Sequence, residues 1–276
     1  MKPPLHHMLL VAALGLYFAA AAGADDVLDD ETAERLRRLG ETIAANPDDT
    51  RGYLTRAGLL ASHGKHADAI ADYSKALELN PNLAAAWQAR GVEHFKHGDI
   101  DASIADFDRF LKLEPDKAPH HWQRGIAYYY AGRFADGRRQ FELHQTVNPH
   151  DVENATWHFL CTARELGPEE ARRRLIRVGH DRRVPMTEIY ELFAGRGTPD
   201  DVLEAARAGR RSDDELRERL FYAHLYIGLY DEAIGDSAGA REHITLAVEK
   251  YPSDHYMGDV ARVHAARLKQ AAETRK

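Results

Sequence analysis

Phe95, Trp122, Tyr129 and Tyr130 are the residues through which this chain is expected to work, because four large rings on successive helices make a surface that gains by being covered. Arg51, Gln88 and Lys96 would act as polar guides around them, with Leu54, Val92 and Ile126 as apolar filling. Such a face suits an extended peptide or a helical segment of a protein partner. The same rings have a second possible fate, in which the C-terminal helices fold back and cover them as internal core; sequence leaves both open.

Other reactive groups give weaker signals. His63 and His66, and His94 and His97, are three residues apart, but no nearby carboxylate or cysteine completes a zinc pattern and Gly64 interrupts the first pair. No metal or other cofactor is expected. Arg172, Arg173, Arg174, Arg177, Arg182 and Arg183 form one basic stretch, spread around a helix rather than gathered on one side, which reads as a solvated, salt-bridged surface. Cys161 lies within the apolar run Trp157 to Cys161 and reads as a buried thiol; being single, it forms no intrachain disulfide. Gly-x-Ser-x-Gly, His-Glu-x-x-His and the phosphate loop are all missing, so no catalytic residue is assigned and the chain is not expected to be an enzyme. The alternative is an exported enzyme or metal-binding protein whose catalytic residues are dispersed. A formal net charge of −7 argues against a nucleic-acid partner, which would want a basic stripe.

The elements that position these residues follow from a ladder of prolines. Pro47, Pro81, Pro115 and Pro149 stand 34 residues apart, and the copies between them align Gly64, Gly98 and Gly132, Gly91 with Gly125, and Tyr73 with Phe107 and Phe141. A small residue early, a glycine at mid-repeat, an aromatic and a closing proline describe a pair of packed helices. This pattern resembles the tetratricopeptide (TPR) repeat, and the resemblance implies an all-α fold of helix-turn-helix repeats stacked into a right-handed superhelical solenoid. It also implies a concave groove on the inner faces of the first helices, which is where Arg51, Leu54, Gln88, Val92, Phe95, Lys96, Ile126, Tyr129 and Tyr130 would point. Trp122 sits one residue later in its repeat than Trp87 and is expected in the groove rather than inside its helix pair. TPR domains that clamp a terminal carboxylate use cationic groups where this chain has Leu54, Gly58, Ala89, Pro119 and Gln123, so that class of ligand is disfavoured.

The boundaries are expected as follows. Residues 1–24 read as a signal peptide: Lys2, an apolar run from Met8 to Ala22, and a small-residue exit before Asp25. The run is short for a membrane span, which needs about 20 residues, although an uncleaved anchor is the alternative. Residues 25–50 read as a partial N-terminal repeat, 51–149 as three full repeats, 150–211 as degenerate helical pairs, 212–254 as a C-terminal repeat and 255–276 as a capping helix.

This layout, with Leu225-Tyr226-Ile227-Gly228 and His243-Ile244-Thr245-Leu246 in the last repeat, resembles the NlpI-like TPR lipoproteins of bacterial envelopes. The resemblance implies a homodimeric adaptor that links partners to periplasmic proteases or cell-wall hydrolases. No cysteine follows the leader, so the lipid anchor of that family is not expected, and the location expected is periplasmic or secreted.

Overall fold

The computed structural model describes residues 28–209 and 212–274; the leader expected over 1–24 lies outside them. The described residues are helical, without a strand. In order they form α1 (Asp30–Ala45), α2 (Thr50–Ser62), α3 (His66–Leu79), α4 (Ala84–His97), α5 (Ile100–Leu113), a 3-10 turn (Pro115–His120), α6 (Trp122–Tyr130) and α7 (Phe134–Gln145). Then come α8 (Val152–Leu166), α9 (Pro168–Arg173), α10 (Met186–Phe193), α11 (Pro199–Arg207), α12 (Asp213–Ile234), α13 (Ser237–Thr245), a π turn (Leu246–Lys250) and α14 (Tyr256–Thr274). None of these helices is long and apolar enough to cross a membrane.

The second and third repeats are each locked by one close approach. A Cβ on Gly91 would stand 2.7 Å from the Phe107 ring, and one on Gly125 2.7 Å from the Phe141 ring, so the first helix of each pair rests directly on the aromatic of the second. Gly98 ends α4 at φ 95°, in the left-handed region, which lets α5 double back.

A second ladder runs beside the glycines. Arg56 grips Asp72 at 2.6 and 2.7 Å, and Arg90 grips Asp106 at 2.8 Å through both arms of its fork. In the third repeat Arg124 finds Gln140 instead, at 2.7 Å, and sends its other nitrogen to Asp108 at 2.8 Å. These pairs recur at the repeat period and fix the register of the two helices as the packing alone would not.

Beyond Pro149 the pairs differ from expectation. Helix α9 is only six residues long and stops at Arg173, and an irregular segment leads from there to α10. Helices α8 and α12 are buried on every side: Asn154 to Ala163 in one, and Leu220, Phe221 and Ala223 to Asp231 in the other. A helix buried all round is the axis of a core rather than one layer of a stack. The main core accordingly runs continuously from Phe95 to Ala261, while the first repeat keeps a small cluster of its own around Ala57, Tyr73 and Leu77.

Helix α14 does not simply cap the last repeat. It turns back against the inner faces of α4 and α6, where Tyr256 stacks on Phe95 at 5.4 Å and His264 Nδ1 lies 3.1 Å from the Tyr130 hydroxyl. Lys96 bridges to Asp259 at 3.6 Å, and Arg267 donates to the Tyr130 carbonyl at 3.3 Å.

Candidate functional site

The return of α14 decides which of the expected groove residues are accessible. Phe95, Ile126, Tyr129 and Tyr130, expected as exposed anchors, are 0, 1, 2 and 8% exposed. They are corrected to core residues. The physical reason is that the apolar surface they present is covered from within the chain, by Tyr256 and His264 over Phe95 and Tyr130 and by Trp157 against Tyr129. The remaining expected residues are placed differently. Arg51 is exposed and held by Asp49 at 2.6 Å. Leu54 fills the space between the first two small clusters, and Val92 is half-buried against the main core. Lys96 is engaged by Glu93 at 3.0 Å and by Asp259.

Gln88 donates to Gln123 at 2.8 Å and is within 2.6 Å of His121 Nε2. The Arg124 amide donates to His121 Nδ1, which leaves the proton on Nε2 to reach Gln88. Burial, with Arg124 beside it, pushes the pKa of His121 down to about 4, so this ring is a neutral structural link.

Trp122 alone among the expected rings faces open space. It meets Tyr256 edge-on at 5.2 Å and lines a cavity of about 340 Å³. Phe141 on α7, Trp157 on α8, Tyr222 on α12 and Tyr256 on α14 add further aromatic walls, and Asp151, Glu153, Arg183 and His144 are among its titratable lining. The guanidinium of Arg183 reaches Glu153 at 2.5 Å, Asp151 at 2.8 Å and Asp181 at 2.6 Å. Tyr226 donates to the second oxygen of Glu153 at 2.6 Å. Burial raises the pKa of Glu153 despite Arg183, whereas for Asp181 the hydrogen bonds from Arg183 outweigh burial and lower it. A polar cleft of about 310 Å³, containing His150, His180 and Arg182, adjoins the cavity and shares Asn148, Asp151 and Arg183 with it.

Of these walls, Trp157 had a readable signal. Trp87, Trp122 and Trp157 are 35 residues apart, so each slips one position against the proline ladder. Arg183 and Tyr256 carry no comparable signal, because they arrive from elements outside the repeats, and Tyr222 belongs to α12, far along the chain from the three-repeat ladder.

The remaining sequence candidates are occupied elsewhere. His63 Nδ1 is 2.9 Å from the Leu59 carbonyl, and His66 lies 2.6 Å from Glu93. Among the described residues no group of three potential ligands converges on a metal position. Arg173 and Arg174 pair with Glu170 at 2.5 Å and Arg172 with Glu169, so these arginines are neutralised by their own helix. Cys161 is fully buried, and burial raises its thiol far above the range where it would react.

Comparison with known proteins agrees with this geometry at the level of the repeat. A TPR repeat model matches residues 59–98, and a tetratricopeptide repeat model matches residues 89–146. The protein SGT1 homologs of Bos taurus and Homo sapiens are each 33% identical over 69 residues, a quarter of this chain and 20 and 19% of theirs. The chain therefore spans about a fifth of the length of the curated relatives it matches. A tetratricopeptide repeat protein from Parabacteroides merdae superposes with a TM-score of 0.55 at 14% identity, over 85% of this chain and 92% of that one. The fold is an all-helical TPR solenoid.

Proposed function

We propose that this chain is a non-catalytic interaction scaffold of the cell envelope, exported by its leader and holding a segment of a partner protein on the concave face. The observation that carries the reading is the aromatic cavity enclosed by Trp122, Trp157, Tyr222 and Tyr256. Phe95 and Tyr130 are covered by α14 and Tyr129 by Trp157 of α8, so this cavity is where the inner face can take an anchor from a partner. Arg51, Leu54 and Gln88 continue the same face toward the N-terminus and would guide the segment that leads in. The NlpI-like layout supports a homodimeric adaptor that presents partners to periplasmic proteases or cell-wall hydrolases.

The test is capture of envelope proteins by the purified chain and by Tyr222→Ala, a half-buried wall residue. A single hot-spot ring is worth about 2 kcal/mol or more, so capture should fall by about tenfold or more while the helical signal is kept. Undiminished capture by a folded Tyr222→Ala variant would remove the cavity from the account. Hydrolysis of casein or peptidoglycan by the chain alone would replace the scaffold with an enzyme.

A further inference from the structure

The inner face of α4 and α6 already holds a helix, and the contacts that hold it show what that face accepts. Helix α14 meets it through one stripe, Tyr256, Asp259, Val260, His264 and Arg267, spaced i, i+3, i+4, i+8 and i+11. Tyr256 stacks on Phe95 and meets Trp122 edge-on, Asp259 faces Lys96 at 3.6 Å, and His264 Nδ1 reaches the Tyr130 hydroxyl at 3.1 Å. Arg267 donates at 3.3 Å to the carbonyl of Tyr130, the last residue of α6, where a helix end carries partial negative charge. Stacked rings, an ion pair beside them and a cation on a helix C-terminus are the contacts of a helix bound in a groove.

The seat is imperfect. Two polar atoms that α14 itself brings to it, the Tyr256 hydroxyl and His264 Nε2, are buried without a hydrogen-bond partner. Glu232 stands 3.6 Å from that nitrogen and already accepts from Tyr129 at 3.2 Å. Buried polar groups left unpaired weaken a contact that its area alone would make tight. Burial along α14 ends at His264, and no residue from Ala265 to Thr274 is buried. The connection to the last repeat is narrow as well: residues 251–255 are irregular, and the turn into α14 is so close that a Cβ on Gly258 would stand 1.9 Å from the Ser253 carbonyl oxygen. Tyr256 and Met257, in the first turn of α14, also wall the cavity. A segment that enters the cavity therefore presses on the ring that anchors α14.

Resting on the scaffold reading above, we propose that α14 is an autoinhibitory helix, and that the face beneath it is a seat for an amphipathic helix of the partner bearing the same stripe. That stripe is an aromatic residue, a carboxylate three residues on and a basic residue eleven on, as in Tyr256, Asp259 and Arg267. The tether keeps α14 at high effective concentration over the seat, and the partner displaces it from the cavity end.

The test uses a synthetic peptide of residues 254–274, titrated by calorimetry into the full chain and into two variants of it. Gly258→Ala forces the entry turn open without touching the repeats, and Arg267→Ala frees the other end from Tyr130. The peptide is expected to bind Gly258→Ala about tenfold or more tighter than the parent, and Arg267→Ala tighter to a smaller degree, because the tethered helix competes less. Tyr256→Ala within the peptide should weaken its binding about tenfold or more, and Asp259→Lys should weaken it too. Hydrogen exchange of the parent gives an independent measurement, in which the amides of α14 should exchange about tenfold or more faster than those of α8 and α12. No peptide binding to any of the chains, equal binding to all three, indifference to Tyr256, or α14 amides that exchange only together with those of α8 and α12 would overturn the proposal. Should capture of envelope proteins that depends on Tyr222 persist beside such a result, the scaffold stands and the autoinhibitory helix falls.

Discussion

Replacement of Trp157 by alanine is expected to destabilise the chain by about 3–5 kcal/mol, the range for deleting a large buried aromatic. The indole is 2% exposed and lies edge-on to Tyr129 at 5.5 Å, near Tyr130 at 6.2 Å and stacked over Phe141 at 6.5 Å. It is therefore the point where α8 joins the third repeat to the C-terminal core, and alanine would leave a void against three rings that cannot all collapse. Phenylalanine at the same position keeps most of the volume and removes an indole N–H that is buried without an acceptor, so its cost should be under about 1.5 kcal/mol. Urea unfolding of the two variants beside the parent chain measures both. A cost below about 1 kcal/mol for the alanine variant would mean that α8 does not carry the junction.

Stability is expected to fall steeply as pH is lowered from about 6.5 toward 4. His121 and His264 are both buried, and burial, the largest cause for each, lowers their pKa to about 4. His264 is wholly inaccessible and its Nε2 has no hydrogen-bond partner, with Glu232 3.6 Å away. A histidine whose pKa is lower in the folded chain than in the unfolded one takes up its proton preferentially on unfolding. Stability is then intact above the unfolded pKa and is lost as pH falls toward the folded one. Each such group contributes up to about 1.4 kcal/mol per pH unit, so the two together give a slope of up to about 3. Asp231, raised to about 6 by burial and by Asp236 and Glu242, works in the opposite direction, as does Glu153. The lowered pKa of His224, His243 and His255 adds to the histidine side. Thermal melts at half-unit steps should show the loss, and His264→Gln should flatten it. A constant melting temperature from pH 6.5 to 4.5 would show that these rings are reached by water or by a proton in the folded state.

The repeat architecture was legible because the same small set of contacts is used several times. Gly91 needs Phe107 and Gly125 needs Phe141, so both partners recur at one spacing and the period becomes visible. The Arg56–Asp72 and Arg90–Asp106 pairs recur equally well and went unread, since an arginine and an aspartate 16 residues apart look like ordinary surface charge until the helices are paired. Residues 150–211 were poorly legible for a different reason. In α8 apolar and polar residues alike are buried on all sides, so no stripe marks a face. The largest correction concerned Phe95, Ile126, Tyr129 and Tyr130. Their positions on the inner face followed from the repeat, but their cover is α14, brought back over them by contacts such as Tyr130 with His264, which are 134 residues apart. Nothing local in either segment announces that meeting. Trp122 meets Tyr256 edge-on and lines the cavity.

The central claim is that a partner segment enters the cavity beside α14. The most direct measurement is photo-cross-linking in envelope extract with p-benzoylphenylalanine placed at Tyr222 on the cavity wall, compared with the same group at the exposed Leu166. The account predicts discrete protein adducts from Tyr222 and none from Leu166. Adducts of equal yield from both positions, or from Leu166 alone, would contradict it.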